Sequence, residues 1–249
     1  RKYSAGDDPK YIDWKVLAKS DRVYIKRFEA ETNLRAYIVM DSSASMAYHS
    51  AGNMPKYEYA AYCAAALSYL MIRQMDAVGL VAFDTDVRRY IAPRSSPSHL
   101  QTLLLTMDQM EPKGETRISD SFHKLAERIT RRGLVIVFSD FLDEPADIVG
   151  GLSHFRHKKH EVLLFHLLDP DEENFPFRDF VEFEDLETGQ RVPAHGRLVG
   201  DRYRERFAEF RRDLQRRCAE QGIEYAPLYT DKPVERALLE YLAKRSRLA

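Results

Sequence analysis

The stretch Leu34-Arg-Ala-Tyr-Ile-Val-Met-Asp41-Ser-Ser43-Ala-Ser45-Met46 indicates the fold class of this chain. Residues 34–40 are nearly all apolar, which is typical of a strand buried on both faces of a sheet. The run ends at Asp41, and hydroxyl side chains follow at two-residue spacing, at Ser43 and Ser45. A carboxylate and spaced hydroxyls at the carboxyl end of a buried strand predict a site for a divalent metal ion.

Beyond this stretch, strand-like and helix-like segments alternate along the chain. Further strands are predicted at Val78–Phe83, Val87–Ile91, Leu134–Phe138, Val162–Leu168 and Glu224–Tyr229. Helices are predicted at Tyr57–Met75, Pro97–Met110, Ser119–Arg131, Pro145–Lys159, Tyr203–Gln221 and Val234–Arg245. Such alternation indicates an α/β fold, with a doubly wound, mainly parallel sheet and helices on both faces.

Two segments fall outside the alternation. Residues 1–33 are polar, charged and aromatic, and we interpret them as an N-terminal arm in which Val23–Phe28 is a candidate strand. Residues 34–249 form the main domain, and we interpret residues 169–200 as an insertion within it. The insertion is predicted to contain a loop and then a small hairpin that turns near Thr188-Gly189, decorating the edge of the sheet.

Polar residues that follow parallel strands should meet, because right-handed crossovers bring the carboxyl ends of those strands to one edge. Asp140 follows its strand as Asp41 does, and Thr116 lies in a loop after Gly114. Taken singly, such residues are common as helix N-caps and in turns. Their conjunction favours a metal site with oxygen ligands suited to Mg²⁺ or Mn²⁺. The candidate ligands are Asp41, Ser43, Ser45, Thr116 and Asp140.

The bulk composition argues against several classes of protein. The chain has 249 residues, 44% of them hydrophobic, and a net charge of -1, so it lacks the field that attracts nucleic acid. No run approaches the roughly 18 apolar residues of a membrane helix, and no signal peptide is evident. Two cysteines, Cys63 and Cys218, predict reduced thiols and a cytoplasmic protein. Arg1 is not an initiator methionine, so we expect the natural chain to begin earlier.

The candidate ligands resemble the metal-ion-dependent adhesion site of von Willebrand factor A-type domains, through Asp41-Ser-Ser43-Ala-Ser45, Thr116 and Asp140. The resemblance implies a von Willebrand A-like fold in which both serines and the threonine ligate the metal. The aspartates would bind the metal directly or through water. Ser42 and Glu115 depart from the family pattern, which often has glycine at both positions, but neither change removes an oxygen ligand.

A closer resemblance covers nearly the whole chain. The motifs that carry it are Gly6-Asp-Asp-Pro9, Ile12-Asp13-Trp14-Lys15, Glu31-Thr-Asn33-Leu34, Asp41-Ser-Ser-Ala-Ser-Met46, Asp76-Ala-Val-Gly79-Leu80 and Phe138-Ser-Asp140-Phe. Together they are similar to the bacterial domain-of-unknown-function family 58, which contains a von Willebrand A-type domain. Genes of that family commonly neighbour those of MoxR-type AAA+ ATPases. The resemblance therefore implies a chaperone or metal-insertion adaptor that acts with such an ATPase.

Two functional hypotheses follow, with an empty scaffold as a third. The first is a non-enzymatic, metal-dependent protein-interaction module, in which Mg²⁺ or Mn²⁺ accepts a carboxylate from the ATPase or its client. The alternative is a metal-dependent phosphoesterase or nuclease, for which Asp120 and Asp143 are additional candidate carboxylates. The absence of a Walker A sequence and of a G-x-S-x-G motif argues against ATP hydrolysis by this chain and against an esterase.

Overall fold

The computed structural model describes residues 3, 12–20, 22–24, 34–116 and 118–246. The chain divides into two compact units, residues 1–33 and 34–249. In the first unit, helix α1 spans Trp14–Ser20, and the amide of Asp13 donates to the carbonyl of Tyr24 at 2.8 Å. Residues 25–28 of the predicted strand lie outside the described residues, as does the Gly6–Pro9 motif.

The second unit is built on a six-stranded sheet with a separate hairpin. Its strands, in chain order, are β1 (Arg35–Asp41), β2 (Ala77–Phe83), β3 (Val87–Arg94), β4 (Leu134–Ser139), β5 (Glu161–Leu168), β6 (Phe180–Glu184), β7 (Arg191–His195) and β8 (Glu224–Tyr229). The spatial order of the large sheet is β3-β2-β1-β4-β5-β8, and β6 pairs with β7 alone. All neighbours in the large sheet run parallel except β2 and β3.

The helices of the second unit cover both faces of the large sheet. They are α2 (Lys56–Arg73), α3 (Pro97–Asp108), α4 (Ile118–Arg128), α5 (Pro145–His157), α6 (Pro170–Asn174), α7 (Gly196–Glu220) and α8 (Val234–Ser246). Successive strand residues point to opposite faces, so Ile38 and Met40 pack under α2, α3 and α8, and Tyr37 and Val39 pack against α4, α5 and α7. The predicted α/β class, with a mainly parallel sheet between two helical layers, is confirmed.

Two details of the predicted insertion differ in the structure. The segment after Asp169, predicted as a loop, forms the short helix α6. The reason is a capping box: the Asp169 carboxylate accepts from the Asp171 amide at 2.9 Å, and the Glu172 carboxylate accepts from the Asp169 amide at 3.0 Å. Helix α7 begins at Gly196, inside the predicted insertion, and not at Tyr203.

The hairpin of β6 and β7 forms as predicted, with its turn between Asp185 and Gln190. Its Glu187 contacts Thr116, so the turn lies over the carboxyl ends of the parallel strands.

Among the helices of the described residues, none combines the length and the apolar character needed to cross a bilayer.

Candidate functional site

The site lies where the strand order of the large sheet reverses. Strand β1 pairs with β2 on one side and with β4 on the other, and a crevice opens between the carboxyl ends of β1 and β4 at such a switch point. Asp41 is the last residue of β1, and Ser139 is the last residue of β4. The topology therefore brings the Asp41 carboxylate to the position at which open α/β sheets bind ligands.

Asp41 is a fully buried carboxylate with two hydrogen-bond donors. Its Oδ1 accepts from the Ser43 amide at 2.9 Å, and its Oδ2 accepts from the Ser139 hydroxyl at 2.6 Å. Burial and the neighbouring charge of Asp140 raise the pKa of Asp41 to about 7, although the bonds from Ser139 and Ser43 oppose the rise. A carboxylate with a raised pKa is short of nearby positive charge, and a metal ion would supply that charge.

The hydroxyls of Ser43 and Ser45 lie side by side, with their Oγ atoms 3.0 Å apart and both residues buried. Ser43 precedes a short 3-10 helix, Ala44–Ala47, but within the described part of the chain its side chain caps no backbone amide of that helix. Ser43 therefore does not cap this helix with its side chain, although serine commonly does so at an N-cap position. Two adjacent hydroxyl oxygens next to a buried carboxylate match the ligands that Mg²⁺ and Mn²⁺ prefer.

Backbone hydrogen bonds fix the loop that carries Thr116 to the loop that carries the serines. The Lys113 amide donates to the Ser42 carbonyl at 2.8 Å, and the Ala44 amide donates to the Gly114 carbonyl at 2.9 Å. Gly114 has a φ of +84°, a left-handed conformation that glycine adopts without steric cost. These contacts hold the Thr116 loop beside the serine loop.

Thr116 does not stand free at this edge, because the hairpin turn supplies it with a carboxylate. The Thr116 amide donates to Glu187 Oε2 at 2.9 Å, and the Thr116 hydroxyl donates to Glu187 Oε1 at 3.0 Å. The backbone of the turn is organised by Asp185, whose carboxylate accepts from the amides of Glu187 and Thr188 at 2.8 and 3.2 Å. Glu187 was not identified from the sequence, where no local pattern distinguishes it from other turn glutamates.

Asp140 is paired with a buried lysine. The Lys56 ammonium lies 2.6 Å from Asp140 Oδ2 and 2.6 Å from Glu172 Oε1, and Lys56 is 0% exposed. Burial would lower the pKa of Lys56, but Asp140 and Glu172 more than offset that effect and raise it. Burial raises the pKa of Glu172, and Lys56 only partly offsets this. Lys56 therefore stays charged and joins helices α2 and α6 to the end of β4.

The sequence analysis did not identify Lys56 as part of the site, although its position in the sequence is unusual for a lysine. It is the first residue of α2, where the helix dipole disfavours a positive charge. A lysine at that position calls for a specific carboxylate partner, and the structure provides two. A long-range pair of this kind has no local sequence pattern that would identify the partners.

The five predicted ligands thus fall into two groups. Asp41, Ser43 and Ser45 are linked directly to one another, whereas Asp140 is engaged by Lys56 and Thr116 by Glu187. In the described residues, no group of three or more His, Cys, Asp or Glu side chains is arranged to hold a metal. The donor set here is instead one of carboxylate and hydroxyl oxygens.

Asp120 and Asp143 are the additional carboxylates of the enzymatic alternative. Within the part of the chain that the structure describes, neither has a contact with the candidate ligands. Asp143 Oδ1 accepts from the Glu144 amide at 2.8 Å. The side chain of Asp120 lies outside the description.

Two of the cavities near the candidate site involve the hairpin. A chamber of about 280 Å³ lies beneath the hairpin turn, and Ser45, Lys56, Glu172 and Glu187 are among the residues that line it. A larger cleft of about 750 Å³ lies behind the hairpin. It is walled largely by aromatic and apolar side chains of the hairpin, α6, α7 and their connections, with Phe175, Phe183 and Tyr203 among them.

The fold is that of an α/β protein with a mainly parallel sheet between two helical layers, an architecture consistent with the von Willebrand A-like fold. The chain belongs to the family described as protein of unknown function DUF58, whose sequence profile matches residues 1–217. Uncharacterized protein Mb1516 of Mycobacterium bovis and uncharacterized protein Rv1480 of Mycobacterium tuberculosis are each 26% identical to this chain over 253 residues. Each alignment covers 99% of this chain and 78% of the relative.

Solved structures share the fold. The conserved hypothetical protein BatB from Bacteroides thetaiotaomicron superposes with a TM-score of 0.56 at 14% identity, covering 86% of this chain and 99% of BatB. An aerotolerance-related membrane protein from Bacteroides fragilis gives a TM-score of 0.57 at 15% identity, covering 83% of this chain and 96% of that one. At these identities the likeness concerns the fold alone.

Proposed function

We propose that this protein is a non-enzymatic, metal-dependent interaction module whose strand-end site resembles a metal-ion-dependent adhesion site. Asp41, Ser43 and Ser45 would hold Mg²⁺ or Mn²⁺ directly, with Thr116 and Asp140 at its margin. The bound ion would supply a Lewis-acidic position for a carboxylate of a protein partner. The observation that carries the proposal is the buried Asp41, with its raised pKa, beside the paired serine hydroxyls at the switch point of the sheet.

The charges around the site favour capture of a ligand over hydrolysis. Lys56 pairs with both Asp140 and Glu172, whereas Asp41 accepts only from the neutral Ser43 amide and Ser139 hydroxyl in the contacts described for it. A site with one direct carboxylate and neutral hydroxyls leaves a divalent ion with net positive charge. Such an ion attracts an acidic group from a partner, whereas two-metal hydrolysis needs several carboxylates close together.

The partner we propose is a MoxR-type AAA+ ATPase or its client, with this chain acting as an adaptor or chaperone partner in the cytoplasm. The proposal of an ATPase partner rests on membership of the family. Genes of that family commonly neighbour those of MoxR-type AAA+ ATPases. The proposed compartment is supported by Cys63 and Cys218, which are buried free thiols, as expected in a reducing environment.

Metal binding is tested by thermal unfolding. Mg²⁺ or Mn²⁺ should raise the melting temperature of the wild type, because a ligand that binds only the folded state stabilises it. Ser45→Ala should lose most of this rise. Ser98→Ala is the matched control, since the Ser96 and Ser98 hydroxyls form a similar pair, 3.1 Å apart, on the surface at the start of α3. Equal metal responses in the wild type and Ser45→Ala would contradict the proposed site.

Partner capture is tested with the purified MoxR-type ATPase of the same genome. Chelators would also strip the nucleotide metal of the ATPase, so the comparison uses variants and not metal removal. Binding should be lost in Ser45→Ala and kept in Ser98→Ala. If both variants still bind the ATPase, the ATPase interaction does not depend on the metal site, and this part of the proposal is wrong.

The affinity for Mn²⁺ should depend on pH. Asp41 has a pKa of about 7 in the folded protein and must lose its proton to bind a metal. Below pH 7 the affinity should fall by about tenfold per pH unit, and above pH 8 it should level off. Calorimetric titration between pH 5.5 and 8.5 measures this dependence, and a flat profile would remove Asp41 from the ligand set.

A further inference from the structure

We propose that Glu187 is an internal competitor for the candidate metal site, occupying the position that the carboxylate of a partner would take. This inference rests on the proposed function. It states that the carboxylate of a partner opens the site by replacing the carboxylate of Glu187. It follows from three features of the described residues. These are the contacts of Glu187, the lone pairs that Thr116 Oγ1 keeps for a metal, and the absence of pairing between the hairpin and the large sheet.

Both carboxylate oxygens of Glu187 are engaged by one residue of the site. The amide and the hydroxyl of Thr116 donate to Oε2 and Oε1 at 2.9 and 3.0 Å. Hydrogen bonds to an ionised acceptor are stronger than those between neutral groups. The pair of bonds fixes the carboxylate in the wall of the chamber that Ser45 and Lys56 also line.

The contact leaves Thr116 able to bind a metal. A hydroxyl carries one proton and two lone pairs, and Glu187 takes only the proton. The lone pairs of Thr116 Oγ1 remain available to a cation. Glu187 therefore stands next to the metal position without displacing a ligand from it, which is where an incoming carboxylate would have to bind.

The hairpin that carries Glu187 is not part of the large sheet. Strands β6 and β7 pair only with each other among the described strands. Behind them lies the cleft of about 750 Å³, so the inner face of the hairpin is only partly packed. Its Phe183 contacts Phe175 and Phe177, with ring centroids 5.5 and 5.3 Å apart. These aromatic contacts, and not pairing with the large sheet, anchor the hairpin, and a segment outside the main sheet opens at a lower free energy than the sheet itself.

The geometry also describes the group that would replace Glu187. Asp185 organises the backbone around Glu187, so the carboxylate is presented from the tip of a tight turn. A partner that reaches the same position would present a glutamate or aspartate from a similarly narrow projection. In the absence of that partner, the chain's own carboxylate closes the site.

The test compares the wild type, Glu187→Ala and Glu182→Ala, all as the full chain. Glu182 lies on the same hairpin, carries the same charge and pairs with Arg191 at its exposed surface, so it controls for net charge and for hairpin stability. The first measurement needs no metal. Amide hydrogen exchange at Thr116 should accelerate by about tenfold or more in Glu187→Ala and stay unchanged in Glu182→Ala.

The second measurement uses Mn²⁺ and acetate as the probe carboxylate. Water-proton relaxation should show more exchangeable water on Mn²⁺ bound to Glu187→Ala than on Mn²⁺ bound to the wild type or to Glu182→Ala. Millimolar acetate should remove that excess in Glu187→Ala and change the other two proteins little.

The outcomes separate this inference from the function on which it rests. If all three proteins bind Mn²⁺ with the same hydration and the same response to acetate, Glu187 is not a competitor, and the metal site still stands. If none of them binds Mn²⁺, the proposed function is wrong and the inference falls with it. Unchanged exchange at Thr116 in Glu187→Ala would also overturn the inference, because the carboxylate would then not hold the loop.

Discussion

Replacing Lys56 with methionine should lower the free energy of unfolding by about 3–5 kcal/mol at pH 7.5. The side chain is 0% exposed and bridges Asp140 and Glu172 at 2.6 Å each. Methionine has a similar length and no charge, so the variant leaves two carboxylates close together in a buried site without a cation. Removal of one partner from a buried ion pair costs far more than the pair contributes, because the remaining charge has lost both its solvent and its counterion.

The pH dependence of this effect distinguishes lost charge from lost packing. The folded-state pKa of Lys56 is raised, so the lysine stays charged between pH 5 and 9 and its own titration adds no pH dependence there. In the variant, Glu172 keeps the burial that raises its pKa and loses the lysine that opposes the rise, so its carboxylate takes up a proton as the pH falls. The difference in stability between wild type and variant should therefore shrink toward pH 5.

Chemical denaturation at pH 5 and 7.5 measures both effects. The control is Lys124→Met, which removes an exposed lysine paired with Asp86 at 3.2 Å and should cost about 0–1 kcal/mol. If Lys56→Met cost no more than Lys124→Met, the buried lysine would not be holding the two carboxylates.

Replacing Asp41 with asparagine should stabilise the metal-free protein above pH 7 and abolish its response to metal. In the wild type the folded-state pKa of Asp41 is raised from its ordinary value to about 7. The folded state then binds more protons than the unfolded state between about pH 4 and 7, so stability falls as the pH rises through that range. Asparagine cannot ionise and avoids this loss, which is on the order of a few kcal/mol above pH 7.

The gain in the metal-free state should come with a loss of binding. Asparagine keeps an oxygen for the Ser43 amide but lacks the charge that attracts a divalent ion. The affinity for Mn²⁺ should fall by at least the ~10–100-fold that is typical for loss of a supporting residue around a metal. Melting curves with and without Mn²⁺ at pH 6 and 8, together with calorimetry, measure both changes.

Asp143→Asn is the matched control for Asp41→Asn, because it makes the same chemical change in a loop carboxylate that bonds the Glu144 amide. It should alter neither the metal-free stability at pH 8 nor the affinity for Mn²⁺. A loss of Mn²⁺ binding in Asp143→Asn would instead point to the carboxylate-rich site of the enzymatic alternative. A destabilised Asp41→Asn at pH 8 would show that the buried carboxylate is not short of positive charge.

The fold could be predicted because its strands carry strong local signals. Residues 34–40 and 134–138 are apolar on both faces, and alternation with helices leaves few topologies for such strands. That topology also explains why Asp41 and Asp140 could be assigned to one edge of the sheet. Whether these residues bind a metal stays a prediction, although the contacts of Asp41, Ser43 and Ser45 are compatible with it.

What the sequence analysis missed came from two different causes. The capping box that starts α6 is written in the sequence as Asp169 and Glu172 at the required spacing, so this helix was predictable in principle. Lys56 and Glu187 were not predictable in the same way. Each acts on a residue far away along the chain, and only the assembled fold brings them to the strand ends.

The long-range contacts at this site also have a consequence for biosynthesis. Thr116 meets a partner 71 positions away, and Lys56 meets partners 84 and 116 positions away. A chain leaves the ribosome from its N-terminus, so the Asp41–Ser45 loop is translated well before Glu172 and Glu187 exist. Closure of loops this long is also a slow step in folding. A nascent chain therefore displays Asp41 and its serines before Lys56 can bridge Asp140 and Glu172 and before Glu187 can bond Thr116, and the finished arrangement arises only after most of the protein has been translated.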